Sequence, residues 1–363
     1  MARYWPLLLL SFVAPGCDDE GGQGSDSSAT SGIPLPTASA EGSSTANADG
    51  QEETGEKLDV MPGTGEIPCD EGGDCGGECI PSEHVPCDQG ADNMISALGL
   101  NCPGDAMVEV TTTGSPGAMA VRTGFGSTNE WAPREGSAFA VIGSGLVSDL
   151  DLATPPGDSN QFPTHCNDEL GAQYAVGATL PDPVRVNDVG GDCTEDPTLL
   201  GTGDCSNTIQ GQFTQGGSAF DYTEVRIVAD VPMTNNSVNY DFAFFSTEYP
   251  FYFGDVYNDM YVGWLESESW TGNISFDQQG NPISLNAGFL DFQDTMELAG
   301  TCMQQHAGTR WLQSVAPVSP GETITLVLAI FDMADPILDS YVFLDNFGWG
   351  CEGTDKPSTT PVG

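Results

Sequence analysis

Between residues 106 and 352 the apolar residues come in runs of strand length, each stopped within a few positions by Gly, Pro, Asn or Asp. Ala138 to Val147 is one such run. Glu224 to Val231 places Val225, Ile227, Ala229 and Val231 on one face, and Tyr240, Phe242 and Phe244 alternate in the next run. Thr323 to Phe331 is a largely apolar run, as in a buried-type strand, and Ser340 to Phe347 closes the region. Period-two patterning with β-branched and aromatic enrichment, and no sustained 3.6-residue period, predicts an all-β fold. The expected architecture is a large, jelly-roll-like β-sandwich with few short helices. About 245 residues are ample for one such core. No internal repeat is found.

The sandwich has a different kind of sequence before it. Residues 17–66 are rich in Ser, Thr, Gly, Asp and Glu, with Lys57 the only base. Such a segment has too little to bury and is expected to be a disordered acidic linker. As a flexible coil of about 50 residues it holds its ends on the order of 40 Å apart. A cysteine-rich segment follows at 67–105, with one short helix expected from Asp92 as cap to Gly99 as stop. The polar stretch at 353–363 is expected as a disordered tail.

The first 16 residues read as an export signal: Arg3, the apolar run Leu7 to Ala14, then small residues. That run is far shorter than the roughly 20 residues of a spanning helix. Val13-Ala14-Pro15-Gly16-Cys17 resembles the lipobox of bacterial lipoproteins in Gly16 and Cys17, and departs from it at Ala14 and Pro15. The chain has 11 cysteines, an odd number. With Cys17 carrying lipid, Cys69, Cys75, Cys79, Cys87, Cys102, Cys166, Cys193, Cys205, Cys302 and Cys351 remain to pair as disulfides in an oxidising compartment. Cys87 and Cys102 flank the expected helix, and Cys193 and Cys205 bracket a short loop, so these two pairs are the ones the spacing suggests. Cys75-Gly-Gly-Glu-Cys79 could be misread as half of a zinc site, but His84 is the only nearby imidazole and the exported context favours disulfides.

With 53 acidic and 8 basic residues the formal net charge is -45. Such a surface repels nucleic-acid phosphates and anionic lipid headgroups. The membrane is therefore a partner only through the N-terminal lipid.

Four stretches carry a resemblance: Tyr240 to Tyr249, Tyr257 to Val262, Gly272-Asn-Ile-Ser275, and Asp339 to Phe347. In order and spacing they are similar to the choice-of-anchor L domain of bacterial surface proteins, over about Thr223 to Cys351. The resemblance implies an exported, surface-attached β domain with no established enzymatic activity. The usual anchor of such proteins is C-terminal, and here the lipid on Cys17 is expected to serve, at the outer membrane or cell surface of a Gram-negative bacterium.

Within the domain the candidate ligand-binding residues are Trp264 and Trp270. Glu266, Ser267, Glu268 and Ser269 between them read as an exposed loop, and Trp suits glycan-facing surfaces. The bland alternative is that these aromatics, with Phe251 to Phe253, Tyr257 and Tyr261, fill the core. No cofactor is certain. A structural Ca2+ is the metal to weigh, because hard cations need clustered oxygens. Its candidate ligands are Asp255, Asp259, Asp332, Asp335 and Asp345. Asp345 interrupts an apolar strand, where a buried carboxylate needs compensation. The alternative for each is a hydrogen-bonded turn residue, as for Asp149 and Asp151.

Catalytic readings are weak. Gly143-Ser144-Gly145 is not a Gly-x-Ser-x-Gly elbow. His165 adjoins Cys166, but neighbours on a strand face opposite ways. The expectation is thus a non-enzymatic, lipid-anchored protein displaying a disulfide-stabilised β-sandwich for adhesion or for binding a glycan or surface protein. The alternatives are a secreted glycan-active hydrolase with paired carboxylates and a structural envelope component.

Overall fold

Alternating side chains on extended backbone need two layers to bury them, and the protein builds two antiparallel sheets. The computed structural model describes residues 79–81, 84–89, 93–187, 189–205 and 209–363. Cys17, Cys69, Cys75 and the whole of the expected signal and linker lie outside them. In chain order the strands are β1 (Glu109–Thr113), β2 (Met119–Arg122), β3 (Phe139–Gly143), β4 (Ala219–Asp230), β5 (Ser237–Ser246), β6 (Met260–Glu266) and β7 (Thr271–Asn273). They continue with β8 (Ile283–Ser284), β9 (Phe292–Gln293), β10 (Ala307–Gly308), β11 (Leu312–Pro317), β12 (Thr323–Met333), β13 (Ser340–Gly350) and β14 (Ser358–Pro361). One sheet runs β1-β4-β12-β6-β7 with β8 beside β6. The other runs β14-β11-β5-β13-β3-β2, with β10 bridging β5 and β9.

Each central strand buries both faces. In β12, Leu326, Leu328 and Ile330 join the core between the sheets, where they meet Val225 and Ile227 of β4, Phe242 and Phe244 of β5 and Val342 and Leu344 of β13. Their neighbours Val327, Ala329 and Phe331 point the other way. They are covered, with Val262 and Trp264, by Leu180, Val184, Ile209 and Phe213 from loops and a short helix. The second sheet is covered likewise: Phe245, Tyr341 and Phe343 pack under Phe125, Trp131, Leu298 and Trp311. This double burial is why Leu326 to Phe331 carries no polar alternation, whereas Thr323 and Thr325 at the strand's start are less buried. Each large side chain so buried contributes about 1.5–3 kcal/mol.

The expected pairs Cys87–Cys102 and Cys193–Cys205 are bonded, and two long-range bridges, Cys166–Cys302 and Cys79–Cys351, join them. The helix between Cys87 and Cys102, α1 (Met94–Ala97), is capped by Asn93, whose side chain accepts from the Ile95 amide. Asp92, the expected cap, lies outside the described residues. Gly99 ends the helix at φ +80°, a conformation that glycine adopts without cost. Leu98 and Leu100 reach the main core, so the cysteine-rich segment packs onto the sandwich. A second helix, α2 (Gln210–Gly216), covers the outer face of the first sheet through Phe213.

The expectation of a disordered tail is corrected at its end. Ser358–Pro361 forms β14 on the edge of β11, and Thr359 is held by the Ser314 hydroxyl at 3.1 Å. Paired Ser and Thr suit an edge strand, and the proline sits at the strand's last residue, where a missing N–H does least harm.

Candidate functional site

The end of the sandwich where β12 finishes and β6 and β13 begin concentrates acid. Asp259 immediately precedes β6, Asp332 lies near the end of β12, Asp339 immediately precedes β13, and Glu248 follows β5. All four are buried, as is Asp221 of β4. The pairing of β12 with β4 slips between Ile330 and Asp332. Such bulges re-aim side chains, and here the re-aimed carboxyl is Asp332.

Most of these acids have protein partners. Asp259 accepts from the Met333 amide at 3.1 Å and from the Ser340 hydroxyl at 2.6 Å. Asp339 accepts from the Asp168 amide and the Tyr341 hydroxyl, each at 2.9 Å. Glu248 accepts from the Asp259 amide at 3.2 Å. Asp332 differs: both of its carboxyl oxygens are buried, and neither meets a hydrogen bond of normal geometry. Burial, and then the neighbouring carboxylates, push Glu248, Asp332 and Asp339 far above the usual carboxylate range. Burial raises Asp259 to about 7 and Asp221 to about 6.

Of the five expected calcium ligands, the fold brings Asp259 and Asp332 together, leaves Asp335 and Asp255 close enough for their charge to act on Glu248, and places Asp345 elsewhere. Asp255 is exposed and accepts from the Val256 amide. Asp335 is half-buried and accepts from the Ile337 amide. Asp345 pairs across the sheet with Asp241 and is compensated by backbone: the amides of Arg134 and Asn346 donate to it at 2.6 and 2.7 Å. That is the turn-like, hydrogen-bonded alternative. Nothing in the sequence marks Glu248, Asp339 or Ser144 as an ion ligand, because each sits in a different loop and only packing joins them.

The expectation that Trp264 and Trp270 lie exposed is corrected. Trp264 is fully buried and Trp270 is 2% exposed. Trp264 faces outward from its sheet, but α2 and the loops around Leu180 and Val184 cover it, and its indole N–H donates to Glu266 at 2.9 Å. Trp270 packs beside the Cys193–Cys205 bridge. The aromatics that do reach solvent between Tyr240 and Trp270 include Phe251 and Phe253, 49% and 56% exposed.

A cleft of about 540 Å³ opens instead where the cysteine-rich segment meets the end of β13. Phe347 and half-buried Trp349 line it, their rings edge to face at 5.4 Å. Asn239, Asn346 and Glu135 supply polar atoms. His84 is clamped at its rim between Asp105 at 3.0 Å and Glu135 at 3.1 Å. His84, Cys102 and Asp105 are the one group of three potential metal-binding side chains that converge closely among the described residues. Cys102 is spent in its disulfide, so the group offers no thiolate.

The remaining chemical candidates are structural. Cys166 is bonded to Cys302. His306 is fully buried, with Nδ1 2.7 Å from the Tyr249 carbonyl. In Gly143-Ser144-Gly145 both glycines make room: a Cβ at Gly143 would stand 2.6 Å from the Tyr341 ring, and one at Gly145 1.8 Å from the Asp339 carboxylate.

Two facing antiparallel sheets, padded outside by loops and stapled by bridges at the surface and in the core, define the class as a disulfide-bonded β-sandwich. Residues 201–348, from before α2 to near the end of β13, match the family model of the Choice-of-anchor L domain. Choice-of-anchor domains occur in exported cell-surface proteins. The match includes Glu248, Asp259, Asp332 and Asp339, whereas Ser144, His84 and Trp349 lie outside it. No curated protein and no solved structure matches the chain.

Proposed function

We propose that this is a non-enzymatic, lipid-anchored cell-surface protein whose β-sandwich binds a glycan in the Trp349 cleft. The observation that carries this reading is the make-up of the cleft. The half-buried Trp349 ring, backed edge to face by Phe347, offers a flat apolar face for a sugar ring, and the neighbouring amides and carboxylate offer hydrogen-bonding groups for its hydroxyls. The match of residues 201–348 to a surface-protein domain supports the location. The lipid on Cys17 would hold the protein at the outer membrane, with residues 17–66 as the stalk.

Retention on immobilised polysaccharides tests the binding. The sugar is expected to be bound and left intact. Trp349→Ala, checked for folding by circular dichroism, is expected to weaken retention by about tenfold or more, as for a central aromatic anchor. Released reducing ends would favour the hydrolase reading. No retention on any glycan would leave a structural envelope component. Mass spectrometry of the mature N-terminus tests the anchor, which fails if Cys17 carries no acyl group.

A further inference from the structure

We infer that the carboxylates of Asp259 and Asp332, with the Ser144 hydroxyl, form a buried site for one divalent cation, calcium by its all-oxygen chemistry. The inference is independent of the glycan reading.

The first ground is geometric. Phe331 pairs with Met260, which sets Asp332 beside Asp259, and the Met333 amide donates to Asp259 at 3.1 Å. Ser340 links the Ser144 hydroxyl to the same carboxylate, its amide donating to Ser144 at 2.9 Å and its hydroxyl to Asp259 at 2.6 Å. Two ionised carboxylates are acceptors only and cannot satisfy each other. Asp332 is fully buried, and neither of its oxygens meets a hydrogen bond of normal geometry. A buried carboxylate in that condition is costly unless a positive charge or a proton joins it.

The second ground is the placement of positive charge. The six basic side chains among the described residues are all committed elsewhere. Arg122 pairs with Asp151, Arg134 with Asp241, Arg226 with Glu224, Arg310 with Asp291 and Lys356 with Asp192. Arg185 donates to the Gly201 carbonyl. The charged groups that act most strongly on Asp332 are Asp259 and Asp339, both carboxylates. Two carboxylates would neutralise one divalent ion, with Glu248 and Asp339 adding negative field around it.

The third ground is how the acids are held. Backbone and side-chain donors fix Asp259 and Asp339 in place. Asp332 alone is left with both oxygens open. Ligands held by their own partners with one group waiting are the order expected of a pre-formed ion site. The site also ties the sheets together, since Asp332 lies in β12 and Asp259 just before β6 of the first sheet, while Ser340 opens β13 and Ser144 follows β3 of the second. An ion there would stabilise the packing of one sheet on the other.

The test uses the exported mature protein, stripped with EGTA at pH 7.5 and returned to CaCl2. Wild type is expected to bind one Tb3+ or Ca2+ per chain. It should melt about 5–10 °C higher at a hundredfold excess of calcium over Kd than in EGTA. Asp332→Asn is expected to lose both the stoichiometric ion and the calcium-dependent shift. Ser144→Ala also removes the acceptor of the buried Ser340 amide, so its melting temperature in EGTA should fall somewhat, while its calcium-dependent shift should fall by more than that of a control Ser340→Ala. A wild-type protein that holds no ion and melts identically in calcium and in EGTA overturns the inference. The acids would then share protons, and Asp332→Asn would melt at or above wild type.

Discussion

Replacing Cys79 and Cys351 together by Ser removes the bridge that pins the first described residues to the end of β13, and leaves no odd thiol. The half-exposed sulfurs bury little, so the loss should act through the unfolded chain. The bridge spans 272 residues, but Cys166–Cys302 and Cys87–Cys102 short-circuit 136 and 15 of them. About 121 residues of free loop remain, for which the chain-entropy relation gives about 16 cal/mol/K, or about 5 kcal/mol at 25 °C. Native bridges in exported domains typically deliver about 2–5 kcal/mol. For a domain of this size the midpoint should therefore fall by about 5–10 °C. The assay is thermal and urea unfolding of wild type and the double variant under non-reducing conditions, with intact mass confirming that the other bridges remain. Ile80 stays hydrogen-bonded to Thr234 and Asn235, so the native fold should persist. An unchanged midpoint at unchanged m-value would refute the reasoning and show that the segment around Cys79 is held by its contacts alone.

Trp264→Ala should destabilise by about 3–5 kcal/mol, the usual range for emptying a large aromatic site. Urea unfolding checks it, and a change below about 1 kcal/mol would mean that the loops over the first sheet do not cover the ring. Asp345, whose carboxyl burial lifts to about 8, should make stability depend on pH. It faces Asp241 on β5 and Glu135 and Arg134 from the loop before β3. Its folded pKa exceeds the unfolded value of about 3.9, so the native state holds the extra proton between about pH 4 and 8. Stability from this group is then lost as pH rises through that window and is level above it, with a slope of at most about 1.4 kcal/mol per pH unit. Asp345→Asn should gain on wild type as pH rises from 5 to 8 in urea titrations, and parallel curves would remove the effect.

Much of the fold was legible. Val225, Ile227 and Ala229 alternate in the sequence and share one face of β4, and Tyr240, Phe242 and Phe244 do the same in β5. The two short-range bridges were legible because their cysteines sit close along the chain. The site was legible in half: Asp259 and Asp332 were candidates, while the orphaned state of Asp332 arises from a bulge that no spacing announces. Trp264 misled because its own neighbours, Glu266 to Ser269, are polar. Its burial is decided by α2 and by loops more than 50 residues upstream, so no local window reports it.

Strand period, turn residues and charge are properties of neighbours along the chain, so the all-β, disulfide-bonded and strongly acidic character of the domain could be read from order alone. What lies under cover could not. Which tryptophans are core, which cysteines pair across more than a hundred residues, and which carboxylates meet without a counter-charge all depend on contacts between distant segments, and those contacts form only when the two sheets close on each other.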